Sequence, residues 1–186
     1  MKKLGFFALL VLWAGAFLIS CTGHGREDYV INDFEADADL DRLVWKCRTL
    51  YSLSTQYASN GKSCLKLDMY PTAYPGVTFK DYPESWLRFN ALAMDIFNPP
   101  ENKGDCRITL RIDDREKTPP YQDRYNGTFL LKPGLNRINI PAGEMKTPKG
   151  RPLDLSRIHA FILFTVEPPE KKTLFLDHVR LVHGPE

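Results

Sequence analysis

From Tyr29 onward the chain runs as short stretches of alternating apolar and polar residues separated by turn residues. No stretch keeps an apolar period of 3.6 residues for three turns. In Cys106–Asp113 the residues Ile108, Leu110 and Ile112 share one parity, and Arg107, Thr109, Arg111 and Asp113 share the other. A strand with one face in a core requires that arrangement. Leu65 with Leu67, and Leu92 with Met94 and Ile96, repeat it. The pattern predicts strands over 29–35, 44–50, 63–70, 77–80, 87–89 leading into 92–98, 106–113, 127–131, 136–140, 160–166 and 173–182. Asn60-Gly61, Pro99-Pro100, Pro119-Pro120, Pro133-Gly134, Pro168-Pro169 and Gly184-Pro185 fall between these runs, where a positive φ or a missing N–H is tolerated. Single helical turns are expected near 36–42 and 153–157. Many short strands punctuated in this way predict an all-β chain folded as an antiparallel β-sandwich.

Residues 1–20 read differently. Lys2-Lys3, an apolar run over 4–13 and then small residues have the three-part layout of a secretory leader, and the run is too short to span a bilayer. Leu18-Ile19-Ser20-Cys21 resembles a bacterial lipobox, which makes Cys21 the expected lipidated N-terminus; Thr22 after it resembles an outer-membrane sorting signal. Cleavage after Ala14-Gly15-Ala16 is the alternative and would leave Cys21 a plain thiol on a secreted chain. The expected organisation is a lipoprotein signal peptide over 1–20, a lipidated Cys and polar tether over 21–28, and one β-sandwich domain over 29–186. The expected location is the bacterial cell envelope, anchored by lipid at the outer membrane or in the periplasm.

Length and composition fit this plan. A chain of 186 residues, 43% hydrophobic and 26% charged, matches one globular domain. Lys and Arg total 25 against 23 Asp and Glu, and setting aside Lys2 and Lys3 with the leader leaves 23 against 23. A neutral body predicts neither a nucleic-acid surface nor a polybasic membrane patch. With Cys21 acylated, Cys47, Cys64 and Cys106 allow at most one intramolecular bridge. A Cys47–Cys64 disulfide between neighbouring strands and three buried thiols are the two readings. No Cys or His spacing suggests zinc.

Several segments together resemble the jelly-roll carbohydrate-binding modules of the galactose-binding-domain-like superfamily. They are Ile31-Asn32-Asp33-Phe34-Glu35 with Trp45 after it, the turn and strand from Ser59 to Leu67, and Trp86, Phe89 and Leu92 followed by Asp95-Ile96-Phe97-Asn98-Pro99. Pro133-Gly134-Leu135-Asn136, Leu153-Asp154-Leu155-Ser156-Arg157-Ile158 and the closing stretch from Leu174 to Leu181 continue the likeness over nearly the whole mature chain. The resemblance implies a jelly-roll sandwich and a structural Ca²⁺ held by carboxylates of the first and last strands, here Glu35 and Asp177, with carbonyls of the turn near 60–62. Calcium takes six to eight oxygens, and these would begin a shell. In the last strand Leu174 and Leu176 share one parity and Val179 and Leu181 the other, so a bulge at Asp177-His178 is expected to turn the Asp177 carboxylate inward.

A glycan site needs aromatic faces for sugar C–H surfaces and planar polar groups for hydroxyls. The candidate carbohydrate-binding residues are Tyr74, Trp86, Arg111, Asp113, Tyr121, Arg124 and Tyr125, with Asn126 on the same strand end as Arg124. Burial of Trp86 and Tyr125 as core aromatics, and a plain Arg111–Asp113 pair, are the competing readings. The run Asp113-Asp114-Arg115-Glu116 with Asp123 raises the question of a glycosidase acid and base. Interleaved Arg115, Lys117 and Arg124 favour ionised, paired carboxylates instead, and no nucleophile-elbow, P-loop or dinucleotide fingerprint is present. The sequence therefore predicts a non-catalytic envelope lipoprotein that binds a poly- or oligosaccharide. The rival is an adaptor that docks another envelope protein through the same sandwich.

Overall fold

The two parities of each strand decide the architecture: one set of side chains meets its counterpart from a second sheet, and the other faces out. A computed structural model describes residues 27–184; the leader, Cys21 and most of the tether lie outside the described residues. The strands are β1 (Tyr29–Asn32), β2 (Leu43–Lys46), β3 (Thr49–Ser54), β4 (Cys64–Met69), β5 (Gly76–Phe79), β6 (Ala91–Asn98), β7 (Cys106–Asp113), β8 (Tyr125–Leu131), β9 (Gly134–Pro141), β10 (Ala160–Phe164) and β11 (Lys172–Val182). One sheet has the order β3-β4-β11-β6-β9, with β1 also paired to β11; the other has the order β2-β5-β10-β7-β8. Every pairing is antiparallel, so the chain is the expected all-β sandwich.

Leu65, Leu67, Leu92, Met94, Ile96, Leu174 and Leu176 of the larger sheet pack with Val77, Phe79, Ile108, Leu110, Ile112, Phe161 and Leu163 of the smaller one. Phe79 and Phe161, directly paired across β5 and β10, stack with ring centroids 4.2 Å apart. The edge of Trp86 closes on Phe161 at 5.9 Å. Burying a Leu or Phe side chain of this kind contributes about 1.5–3 kcal/mol each, which is why a one-residue slip of register is excluded.

The bulge in β11 is present. Asp177 pairs with Asp95 and Arg180 with Ala93, so β11 carries one extra residue there, and His178 takes a φ of 48°. Leu176 and Val179 are thereby both kept in the core. Asp177 is buried beneath the turn at Ser59 and Asn60 rather than among the apolar side chains between the sheets.

Three expectations change and a fourth holds. The strand predicted over 44–50 is two strands: Cys47 and Arg48 both take positive φ, 47° and 50°, and carry the chain from β2 in one sheet to β3 in the other. The stretch 87–89 is a turn, closed by the Phe89 N–H donating to the Trp86 carbonyl at 3.0 Å. Residues 153–157 form no helix; the Asp154 carboxylate accepts from the Ser156 N–H and hydroxyl and makes a tight turn. The helical turn near 36–42 exists as a 3-10 helix, Asp37–Arg42.

The three cysteines among the described residues are free thiols, Cys47 exposed and Cys64 and Cys106 buried. Cys64 does sit on the strand next to β3, but it pairs with Ser54, whereas Cys47 precedes Thr49 at the other end. Five residue rises, roughly 16 Å, separate those ends, far beyond disulfide reach. The Cys64 thiol donates to the Gln56 carbonyl at 3.0 Å, and burial first, then the charges of Asp177 and Glu35, push its pKa up to about 12.

Candidate carbohydrate-binding groove

The outer face of the smaller sheet is built in cross-strand rows. In one row Arg111 of β7 lies opposite Ile162 of β10 on one side and Asn126 of β8 on the other; in the next Thr109 lies between Phe164 and Thr128. The parity that sends Ile108, Leu110 and Ile112 into the core puts Thr109 and Arg111 on this face. Above the rows runs a groove of about 420 Å³, lined by these residues and by Tyr74, Tyr121, Arg124 and Val166. Gly76 of β5 pairs with Phe164; a Cβ there would come within 2.1 Å of the Leu163 carbonyl oxygen and 2.6 Å of the Phe164 Cα and Cβ, so its absence lets β5 lie close against β10 at the groove floor.

Two tyrosines stand over this floor. Tyr74, 51% exposed, meets the Phe164 ring edge-on at 5.8 Å. Tyr121, 56% exposed, sits on a 3-10 turn, Tyr121–Asp123, that follows Pro119-Pro120. Each keeps aromatic surface in solvent, as stacking on a sugar requires.

The two arginines differ. Arg111 is a fork on Asp113: its Nε donates to both carboxylate oxygens, at 2.8 and 3.1 Å, and its Nη2 closes the pair. The two residues are two apart on one strand and so share its outer face. Arg124 lies 5.9 Å over the Tyr121 ring, and its Nη1 reaches the Pro119 carbonyl at 3.4 Å. Its Nε is buried without an acceptor. Burial first, and then the positive charge of Arg111, pull the Arg124 pKa below the usual arginine value.

The loop that carries Tyr121 and Arg124 is clamped from outside the groove. Arg151 donates from Nη1 and Nη2 to the two oxygens of Asp114, at 2.6 and 3.1 Å, and from Nε and Nη2 to one oxygen of Asp123, at 3.0 and 2.6 Å. The Asp154 N–H adds a bond to Asp114 at 2.7 Å. Burial alone would raise the Asp114 pKa, but the hydrogen bonds of Arg151 and Asp154 and the guanidinium charge outweigh it and hold the carboxyl below the ordinary range.

Of the seven predicted sugar-binding residues, Tyr74, Arg111, Tyr121 and Arg124 meet in the groove. Trp86 does not: it is 1% exposed, its indole N–H donates to the Pro83 carbonyl at 2.9 Å, and its ring belongs to the core. Tyr125 pairs with Ile112 and shares its inward face, one residue out of phase with Asn126. Burial raises its phenol pKa, with Glu144 adding to the effect. Asp113, 2% exposed, stands behind Arg111 and orients it without lining the groove. Missed from the sequence were Thr109 and Thr128, whose parity matched the predicted face, and Ile162, Phe164 and Val166.

Glu35 and Asp177 do converge on one turn. The Glu35 Oε1 accepts the Lys62 and Ser63 N–H groups at 2.8 and 3.0 Å, and these two bonds lower its pKa. The Asp177 Oδ2 accepts from the Ser59 N–H and hydroxyl and the Asn60 N–H, at 2.7, 3.1 and 2.9 Å, while Oδ1 takes the His178 N–H at 2.7 Å. The turn thus presents donors where calcium needs oxygens, and both Asp177 oxygens are occupied. Among the described residues no three His, Cys, Asp or Glu side chains group as a metal site. As arranged, these residues do not fit the ion.

The sequence matches no family model and no curated protein. Among solved structures the chain is similar to a family 11 carbohydrate-binding module from Clostridium thermocellum, in complex with a β-1,3-1,4-mixed-linked tetrasaccharide. The identity is 16% and the TM-score 0.62, over 86% of this chain and 97% of that one. It is also similar to the CBM22-1 xylan-binding domain from Paenibacillus barcinonensis, at 11% identity and a TM-score of 0.57, over 85% and 97%. An exo-β-agarase matches at 18% identity and a TM-score of 0.68 over 85% of this chain, but over only 25% of its own. At these identities the likeness establishes the fold, an antiparallel sandwich that whole binding modules and one segment of a larger enzyme chain share.

Proposed function

We propose that the protein is a non-catalytic carbohydrate-binding module whose glycan lies along the outer face of the five-stranded sheet. One observation carries the reading: two half-exposed tyrosines flank an open groove whose floor offers guanidinium, amide and hydroxyl groups at fixed cross-strand positions. Tyr74 and Tyr121 take the sugar faces; Arg111, Arg124, Asn126, Thr109 and Thr128 take hydroxyls. Strands hold the floor before any ligand arrives, so little ordering cost opposes binding. The sandwich modules of known structure that bind a mixed-linked glucan and xylan support the same reading.

The carboxylates nearest the groove favour binding over cleavage. Asp113 is paired with Arg111, and Asp114 and Asp123 with Arg151. A glycosidase needs one carboxyl raised toward neutrality as a proton donor, and Asp114 is shifted the other way. Acylation of Cys21 would hold the module at the bacterial envelope, with the chain from 22 onward as the tether; this is part of the same proposal and is tested by metabolic labelling with a fatty acid.

The function is tested by titrating the folded protein with a panel of poly- and oligosaccharides. Saturable binding that falls at least about ten-fold in Tyr121→Ala and in Tyr74→Ala, with unchanged melting, is the expected result. A folded protein that binds no glycan would overturn the reading in favour of an adaptor that docks an envelope protein on this face.

A further inference from the structure

The charge in the groove is unbalanced. Arg111 and Arg124 both line it, and no Asp or Glu does. Asp113, the acid whose charge acts on Arg124, is taken by Arg111 through three contacts. Arg124 forms no ion pair with any described residue; its acceptor is one carbonyl at the 3.4 Å limit, and its Nε has none. Elsewhere a half-exposed arginine without an acid is ordinary, because water serves it. Here Tyr121 covers one face of the guanidinium and a second guanidinium stands near, so the free protein holds a positive charge that is partly dry and incompletely hydrogen-bonded.

A sugar hydroxyl would satisfy a donor but leave the charge. An oxyanion satisfies both, since guanidinium forks match planar carboxylate and sulfate oxygens in geometry and sign. We infer that the groove selects an acidic glycan, one carrying uronate carboxylates or sulfate esters, and that Arg124 beside Arg111 receives the anion while Tyr74 and Tyr121 hold the sugar rings. The inference rests on the carbohydrate-binding reading and narrows it to a substrate class. With Lys2 and Lys3 set aside the remaining charges balance, which sharpens it: an acidic glycan is attracted by this one spot and not by the net charge of the molecule.

Matched pairs of polymers separate the charge from the backbone. The intact protein is titrated with polygalacturonate and its fully methyl-esterified form, and with κ-carrageenan and its desulfated form. In one of the two pairs the acidic member should bind at least about ten-fold more tightly, an advantage that shrinks as salt is raised. The pair that responds identifies carboxylate or sulfate. Arg124→Gln should abolish the preference without changing melting, and Arg137→Gln, an exposed arginine on β9 outside the groove, should keep it. Equal affinity for acidic and neutral members, binding to a neutral β-glucan alone, or an equal loss in Arg137→Gln would overturn the inference and leave carbohydrate binding standing. Binding to none of the polymers, neutral or acidic, would remove the broader reading and this one with it.

Discussion

The two outer faces of the sandwich carry similar materials and use them in opposite ways. The face of the smaller sheet holds Tyr74 and Tyr121 half in solvent and leaves Arg124 without a carboxylate. The face of the larger sheet also has a hollow, of about 360 Å³, lined among others by Tyr57, Lys66, Lys171 and Asn102. There Tyr57 lies parallel on Phe97, with centroids 4.0 Å apart, and meets Phe175 edge-on at 4.9 Å. Lys66 and Lys171 both pair with Asp68, which also accepts the Thr173 hydroxyl at 2.6 Å, and Asn102 joins Asn98 to Thr173. The second face has satisfied itself. What marks the first as a site is that its tyrosines stand half in solvent over the groove and that Arg124 beside them is left without a carboxylate, where the second face commits its ring and charges to internal partners.

The largest effect is expected where the groove is held together. Arg151→Ala leaves Asp114, whose side chain has no exposure, without its counter-charge. The cost should be about 2–3 kcal/mol, at or below the low end for a broken buried pair because Arg151 is itself one-third exposed. Urea unfolding reads that loss, and glycan affinity should fall with it as the Tyr121 loop is released; an unchanged affinity would detach the groove wall from this clamp. The pH dependence has a definite sign. Because the folded pKa of Asp114 is depressed, its contribution is present above the ordinary aspartate value near 4 and lost as pH falls through the folded value. Wild type and Arg151→Ala should therefore differ at pH 7 and converge in acid.

A smaller effect separates the faces directly. Tyr57→Ala removes a stacked and an edge-on ring contact and should cost about 1–2 kcal/mol of stability while glycan binding stays unchanged. Tyr121→Ala should show the reverse, with stability within about 0.5 kcal/mol of wild type and binding lost. Thermal melts and titrations on the same two samples check the crossing; a loss of binding in Tyr57→Ala would erase the contrast.

How far the sequence could be read follows the range of the signal. Alternation is local, so β7 and its outward Arg111 were legible residue for residue, as was the β11 bulge. Tyr125 is legible too: alternation carried back from Leu131 and Phe129 puts it on the inward face, since the strand starts two residues before the predicted 127. Phe164 was not, since Ala160–Phe164 is apolar on both faces and periodicity cannot say which side of such a run meets the other sheet. Trp86 looks the same in sequence whether it stacks on sugar or fills a core. Arg151 was beyond reach, being 37 residues from Asp114 and joined to it by folding alone.

The smallest expected effect concerns calcium, proposed from the family resemblance and opposed by the geometry. The turn at 59–63 is already bound to Glu35 and Asp177 through its own N–H groups, and Gly61 gives Glu35 its room: a Cβ there would come within 2.2 Å of Oε1, and its φ of 65° suits glycine. To coordinate an ion the turn would have to rotate its peptides and exchange these donors for carbonyls. Melting temperatures in excess calcium and in chelator should therefore coincide, because a ligand stabilises only by binding the native state in preference to the unfolded one. A rise of several degrees in calcium, lost in Asp177→Asn, would show that the turn does rotate and that Glu35 and Asp177 are ligands after all. Since this brace lies at the β11 bulge, on the sheet opposite the groove, even that result should leave glycan affinity as it was.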